Sequence, residues 1–342
     1  MTQSRVGGLH CGSRIAWPLR RIANPVVSHR GSSNLPCRAI NIGYRNTENM
    51  LEATQLLLAL IIVAVFLLIK PTRRWILVVL FSYKVIWKYM NLRPSNERPW
   101  VNDNKETASA TFNETKVLLR NVRDFAWATT REFEERWVEM EFDTNEVKDI
   151  WFVLEYFDPT RKQLAHTILS FEFEDGRFLS CSIEARREEG ERYHPITGMF
   201  RQFELIYVWG TEADLIGVRT RCRKKSKTHL FRAKLLREDS KQALLESYLN
   251  RTNKLSQKPE WYNSISNTCT TNIARHVNDV YPGRIPKSFA VLLPGLSPKL
   301  LEKNQLVELN GLTMDELLIA SLIDEKAQQW DGTSNFSAYI RS

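Results

Sequence analysis

The feature that most constrains this chain is an unbroken apolar run, Ala53–Ile69, whose sequence ATQLLLALIIVAVFLLI carries no charge and ends in 14 consecutive apolar residues. A membrane-spanning helix needs roughly 20 residues, and 17 is the lower edge of the range. A core helix of a globular domain normally keeps a polar face, and this run has none. We read Ala53–Ile69 as a transmembrane helix. After Lys70-Pro-Thr-Arg-Arg74 comes a second apolar stretch, Trp75–Met90, interrupted by Lys84 and bordered by Trp75, Trp87 and Tyr89. Aromatic residues suit the membrane–water interface, and Lys84 is costly in a bilayer unless it snorkels. This stretch is either a returning span, which would complete a hairpin, or an interfacial helix.

Charge separates the front of the chain from the rest. Residues 1–49 hold seven Arg, no Lys and one acidic side chain, Glu48, and residues 50–94 hold six Lys or Arg and one acidic side chain, Glu52. The formal charge of +9 therefore resides in the first 94 residues, and the remainder is close to neutral. That is not the basic face of a nucleic-acid-binding domain, so nucleic acid is not an expected partner. With 43% hydrophobic and 25% charged residues, most of the 342-residue chain can fold around a core. Residues 1–49, rich in Arg, Ser, Gly and Pro, read as a disordered leader, with Met1 and Met50 both open as the start. Residues 50–93 form the membrane segment, 94–312 an α+β domain and 313–342 a helical C-terminal extension. For a Met50 start, the positive-inside rule keeps Lys70–Arg74 in the cytoplasm, and two spans then leave the domain outside. If the leader's Arg residues stay inside, one span places the domain outside and two place it inside. The expected location is the inner membrane, with the main domain in the periplasm and the lipid bilayer as a partner.

The domain begins with mixed strand and loop patterns at Thr115–Asp124 and Glu132–Met140. Leu164–Phe173 and Arg177–Arg186 alternate polar and apolar residues around Glu174-Asp175-Gly176, the signature of a β-hairpin. Further strands are expected at Phe203–Trp209, Leu215–Arg221 and His229–Leu235. Helices are expected from Asp239 or Ser240 to about Ser256, from about Cys269 to Val277, and at Met314–Lys326. The fold class is α+β, an antiparallel-sheet domain with helices.

The chemistry centres on Cys269 in Asn267-Thr-Cys-Thr-Thr-Asn-Ile273. Asn267 and Thr268 are N-cap types, so the cysteine falls in the first turn of a helix. There the dipole and unpaired N–H groups favour the nucleophilic thiolate and can hold an oxyanion. A structural, buried cysteine is the competing reading. A thiol nucleophile needs a base, and His166 lies on the more polar face of the first hairpin strand. Matching the apolar sets Leu169/Phe171/Phe173 and Leu179/Cys181/Ile183 across a three-residue loop pairs residues whose numbers sum to 350, which places Glu184 opposite His166. A two-residue turn would break this pairing, and a solvated salt bridge is the bland alternative for the pair. Thr270, Asn267 and Glu204 are the expected substrate contacts. Cys181 and Cys222 are expected as core thiols, although an oxidising compartment would permit a disulfide. Five cysteines without a Cys-x-x-Cys pair, and no His-Glu-x-x-His, suggest neither a metal nor another cofactor.

Several motifs together carry a resemblance. Asn121-Val-Arg-Asp, Ala165-His-Thr, Ser182-Ile-Glu-Ala-Arg, Gly198–Tyr207, Glu212-Ala-Asp-Leu-Ile, Arg219-Thr-Arg and Trp261–Ile273 resemble the Lnb N-terminal periplasmic domain family from about Pro94 to Leu312. That resemblance implies a membrane-anchored bacterial envelope protein. The order of His and then Cys, with Cys at a helix start behind the strands, is also similar to circularly permuted papain-like enzymes such as the NlpC/P60 and lecithin–retinol acyltransferase group. This second resemblance implies a thiol peptidase, amidase or acyltransferase and reaches only Cys269 and His166. Thr268 departs from the Asn expected before the cysteine in the nearer relatives. The resulting expectation is a thiol hydrolase or acyltransferase acting on an amide or ester of an envelope peptide, protein or lipid. A catalytically inactive envelope protein that binds a ligand or partner with the same fold is the alternative.

Overall fold

The computed structural model describes Ile61 and residues 71–237 and 239–342. The leader and all of Ala53–Ile69 except Ile61 lie outside the described residues. Helix α1 spans Pro71–Asn91, 21 residues, with Pro71 at its first position, where a missing N–H costs nothing. Long enough at about 1.5 Å per residue, it is too interrupted by charge, including Lys84 and Lys88. No described helix is long and apolar enough to cross a membrane.

Residues 87–342 form one compact unit. Its strands are β1 (Ser109–Asn113), β2 (Lys116–Arg123), β3 (Ala126–Trp127), β4 (Phe133–Glu134), β5 (Trp137–Asp143), β6 (Val147–Tyr156), β7 (Ala165–Phe173), β8 (Phe178–Arg186), β9 (Glu204–Gly210) and β10 (Lys227–Arg232). The main sheet runs β1-β2-β9-β8-β7-β6-β10, with β5 also paired to β2, and β3 and β4 form a separate pair. Every ladder is antiparallel except a short parallel contact between β2 and β9, Arg123 with Gly210. This is the antiparallel α+β domain the alternation implies.

The β7–β8 hairpin closes through Glu174-Asp175-Gly176 with Gly176 at φ +80°, a left-handed conformation that glycine adopts at little cost. The register pairs Phe171 with Leu179 and Leu169 with Cys181, so paired numbers sum to 350. One face of the hairpin, containing Leu169, Phe171, Leu179 and Cys181, joins the main core. Helix α3 (Asp239–Gln257) covers that core with Leu244, Leu245, Tyr248, Leu249 and Leu255, a helical stripe. Helix α4 (Cys269–Val280) adds Cys269 and Ile273 to the same face.

The other face, which reads as polar, is also covered. The stretch expected as a strand at Leu215–Arg221 is instead helical: helix α2 (Glu212–Leu215) runs into a π-helical turn at Val218–Cys222. The reason is local, because Thr211 caps the α2 N-terminus by accepting a hydrogen bond from Asp214 N. Ser170 Oγ donates to Glu212 across this layer at 2.5 Å. The C-terminal residues complete the layer and are not a free extension. The single helix expected at Met314–Lys326 is two, α7 (Met314–Ala320) and α8 (Asp324–Gln329). The break serves the sheet edge: Ser321 O accepts from Leu230 N at 2.9 Å and Ile323 N donates to Thr228 O at 3.0 Å, both on β10. The last helix, α9 (Phe336–Arg341), sends Arg341 to both oxygens of Glu212 at 2.7 Å.

Between α4 and α7 the chain forms α5 (Phe289–Leu292), a tight turn at Pro294–Leu296 and α6 (Ser297–Lys303). Gly295 in that turn accepts a hydrogen bond from the Tyr156 hydroxyl at 3.1 Å, and a Cβ there would overlap the Lys162 carbonyl. Substituting Gly295→Ala should destabilise the domain by about 1–3 kcal/mol, read as a lower midpoint in urea unfolding. An unchanged midpoint would show that this close approach is not needed.

Candidate active site

Cys269 is the first residue of α4. Thr268 caps the helix: its Oγ1 accepts from Thr271 N at 3.3 Å, while Thr268 N donates to Thr271 Oγ1 at 2.7 Å, a reciprocal capping box. The first N–H groups of a helix have no intrahelical acceptor, so those of Cys269 and Thr270 point out of its end. Cys269 is 5% exposed. Burial opposes its ionisation, but the positive His166 imidazole and hydrogen bonds from His166 and Thr167 overcome that and lower the Cys269 thiol to about 6. Cys181 behaves oppositely, since burial and the nearby Glu184 charge push its thiol up. Cys181, Cys222 and Cys269 are all free.

His166 reaches the thiol because two strands part. The β7–β8 ladder ends at Ile168 with Ser182, whereas β6–β7 pairing continues to Tyr156 with Ala165 and β8–β9 pairing continues to Arg186 with Glu204. The resulting gap opens at the end of the sheet beside His166. Helix α4 does not cover the His166 face, as a single shared face would require. It packs on the opposite, apolar face, where Thr270 Oγ1 lies 3.3 Å from Thr167 Oγ1. Cys269 and His166 thus approach from opposite faces and meet where the sheet splits.

Glu184 does not contact the His166 ring directly. His166 Nε2 lies 2.7 Å from Ser182 Oγ, and Ser182 donates its one proton to Glu184 Oε1 at 2.6 Å. Ser182 must then accept from Nε2–H, which assigns the proton of the neutral ring to Nε2 and leaves Nδ1 as a base. Arg219 Nη2 donates to Glu184 at 2.8 Å and to Ser182 at 3.3 Å, while its Nε lies 3.1 Å from Glu155. Burial would raise the Glu184 carboxyl, but Arg219, His166 and Arg123 hold it well below the usual carboxylate range. Glu155, directly opposite His166 on β6, is fully buried, and Arg219 and Arg223 occupy it.

His166, Glu184 and Cys269 line one cleft of about 490 Å³ together with Arg187, Arg219, Arg223 and the aromatic rings of Phe157, Tyr193 and Tyr262. The three expected substrate contacts lie elsewhere. Asn267 is engaged in its own loop, donating to Trp261 O at 2.8 Å and accepting from Asn272 at 3.0 Å. Thr270 borders a separate, apolar cavity under α4. Glu204 is buried at the start of β9, 3.2 Å from Arg98, and burial raises its carboxyl to about 7. Ser182 and Arg219 are the residues that sequence reasoning passed over. Ser182 sits two positions before Glu184 on the same strand face, a visible signal, whereas Arg219 was assigned to a strand. Among the described residues no group of three His, Cys, Asp or Glu side chains is placed to hold a metal ion.

Residues 133–295 match the sequence model of the Lnb N-terminal periplasmic domain. The match includes His166, Ser182, Glu184, Arg219 and Cys269 and supports the family to which the motifs pointed. No curated protein and no solved structure matches the chain.

A lowered thiol has a direct readout. Alkylation of Cys269 by iodoacetamide should rise with pH through an inflection near 6, because the thiolate accumulates above that value. His166→Ala should move the inflection upward by removing the interactions that oppose burial. An inflection near the ordinary thiol value in the unmodified protein would contradict the assigned electrostatics.

Proposed function

We propose that this protein is a membrane-anchored, extracytoplasmic thiol hydrolase or acyltransferase that acts on an amide or ester through Cys269 and His166, with Glu184 behind them. The observation that carries this reading is the buried Cys269 thiol lowered by the His166 imidazole at a helix start. In the first half-reaction the Cys269 thiolate attacks the acyl carbonyl, and the oxyanion that forms is held by the first-turn N–H groups. Protonated His166 then gives its Nδ1 proton to the leaving amine or alcohol, and the acyl group remains as a thioester. In the second, His166 takes a proton from water or an acceptor amine or hydroxyl, which attacks the thioester and expels Cys269 as the thiolate, restoring the starting pair. Glu184 acts through Ser182, orienting the ring.

The permuted papain-like arrangement belongs to this proposal and is supported by the order of His in a strand and then Cys at a helix start. Envelope peptides, protein termini and lipid acyl groups are all compatible substrates. The alternative, a non-catalytic envelope protein that binds its ligand in the same cleft, draws support from the 5% exposure of Cys269. For the anchor, we propose Ala53–Ile69 as the span, with α1 lying at the membrane interface.

Incubation with p-nitrophenyl esters and acyl anilides, followed by intact-mass measurement, should reveal an acyl adduct on Cys269. Cys269→Ala should abolish turnover and His166→Ala should reduce kcat/KM by about 10³-fold or more. Glu184→Gln and Ser182→Ala should cost less, about 10–100-fold, because they orient the base and do not react. Full turnover in Cys269→Ala would end the enzyme reading, and selective ligand binding without an adduct would favour the alternative. The topology has its own test: protease added to intact spheroplasts should digest the domain after Pro94, and protection until lysis would reverse the orientation.

A further inference from the structure

Three arginines and one carboxylate, Glu184, line the cleft. The Glu184 charge is already met by Arg219 and by the Ser182 hydroxyl. Arg219 is turned away from a ligand, with Nη1 on Leu215 O, Nη2 on Ser182 and Glu184, Nε in an ion pair with Glu155 at 3.1 Å but without a hydrogen bond, and only 3% of its side chain exposed. Arg223 differs. Its Nη1 alone serves both oxygens of Glu155, at 2.8 and 2.9 Å, while Nε and Nη2 have no hydrogen-bond partner among the described residues and 37% of the side chain is exposed. Nε and Nη2 lie on one edge of the guanidinium and form the fork that takes a carboxylate or phosphate through two parallel N–H bonds. Arg187 adds a second charge to the same lining, held only loosely by Asp103 at 3.4 Å. Phe157, Leu164 and Leu293 make part of the wall apolar, which strengthens a charge-assisted bond inside it.

We propose that the cleft contains an oxyanion subsite in which the free fork of Arg223 binds a carboxylate or phosphate of the molecule whose acyl group meets Cys269. This inference rests on the reading of the cleft as a substrate site and adds a substrate class to it: amides or esters that carry an oxyanion close to the reacting carbonyl. Glu155 holds Arg223 from behind through Nη1, so the fork is fixed before the ligand arrives and little side-chain freedom is lost on binding.

Two reagents of nearly equal size separate the subsite from the thiolate. In both, the Cys269 thiolate displaces iodide and forms a carbon–sulfur bond, but iodoacetate carries a carboxylate and iodoacetamide does not. The ratio of the iodoacetate to the iodoacetamide rate should exceed that of a free thiol, and Arg223→Gln should lower it about tenfold. In parallel, calorimetric titration of the whole protein should detect binding of inorganic phosphate or of N-acetylglycine, but not of neutral N-acetylglycinamide, and comparison of the two anions identifies the preferred group. Arg223→Gln should weaken the preferred anion at least tenfold. Arg223→Lys, which keeps the charge beside Glu155 but lacks the fork, should weaken it less. Alkylation by iodoacetamide with no preference for iodoacetate, and anion binding that is absent or unchanged in Arg223→Gln, would overturn the subsite while leaving the thiolate in place. Failure of both reagents would overturn the thiolate instead, and titration alone would then decide the subsite.

Discussion

The organisation of this domain depends on one buried guanidinium. Arg219, 3% exposed, joins Glu155 on β6 to Ser182 and Glu184 on β8, across the strand that carries His166. Burial, with Arg223 adding to it, holds its guanidinium below the ordinary arginine value, and Glu155 and Glu184 offset that only in part. Removing one partner from such a buried cluster typically costs about 3–5 kcal/mol, because the remaining charge has nowhere to go. The two carboxylates and the arginine therefore fix one another, and the spacing of β6, β7 and β8 at the open end of the sheet follows. The π-helical turn that carries Arg219 is part of this arrangement, since extra residues in a helical turn commonly mark a functional position.

This cluster also explains why a sheet face that alternates like a solvated surface is buried. Ser170, Ser180 and Ser182 are fully inaccessible, and Glu172 nearly so. A buried polar face is stable only when most of its groups are paired, and here Ser180 Oγ stays without a partner while its neighbours find one. Glu212 takes Ser170 and Arg341, and Lys148 and Trp151 take Glu172. The C-terminal helices are therefore a required cover, which a strand pattern alone could not reveal.

What could be read from the chain follows from how local each cause is. The hairpin register was legible because two apolar triplets and one glycine determine it together, and the start of α4 was legible because capping is a matter of four neighbouring residues. Strand β6 escaped because it is buried along most of its length, so VKDIWFVLEY lacks the alternation that marks an edge or half-exposed strand. The Leu215–Arg221 segment misled because its β-branched residues suit a strand, while its actual state is set by the Thr211 cap and by the distant carboxylates Arg219 must reach. That Cys269, His166 and Glu184 border one cleft was legible from helix-start and register arguments. Ser182 was not, because the register pairs residues directly across, whereas its contact with His166 is diagonal.

That diagonal contact changes the electrostatics of the site. A carboxylate bonded straight to the imidazole would favour the protonated ring, but its charge would also lie close to the thiolate and oppose it. With Ser182 between them, Glu184 stands one hydroxyl further from the sulfur, and Arg219 neutralises it on the far side. The ring still feels the carboxylate through a chain of two short hydrogen bonds, which polarise each other in a low-dielectric setting. The thiolate consequently sees a net positive partner, His166, together with the positive end of α4. A thiol so deeply buried would otherwise be raised, as Cys181 is on the neighbouring strand. The difference between these two buried cysteines comes from the split between β7 and β8, which lets an imidazole reach one sulfur and leaves the other among apolar side chains.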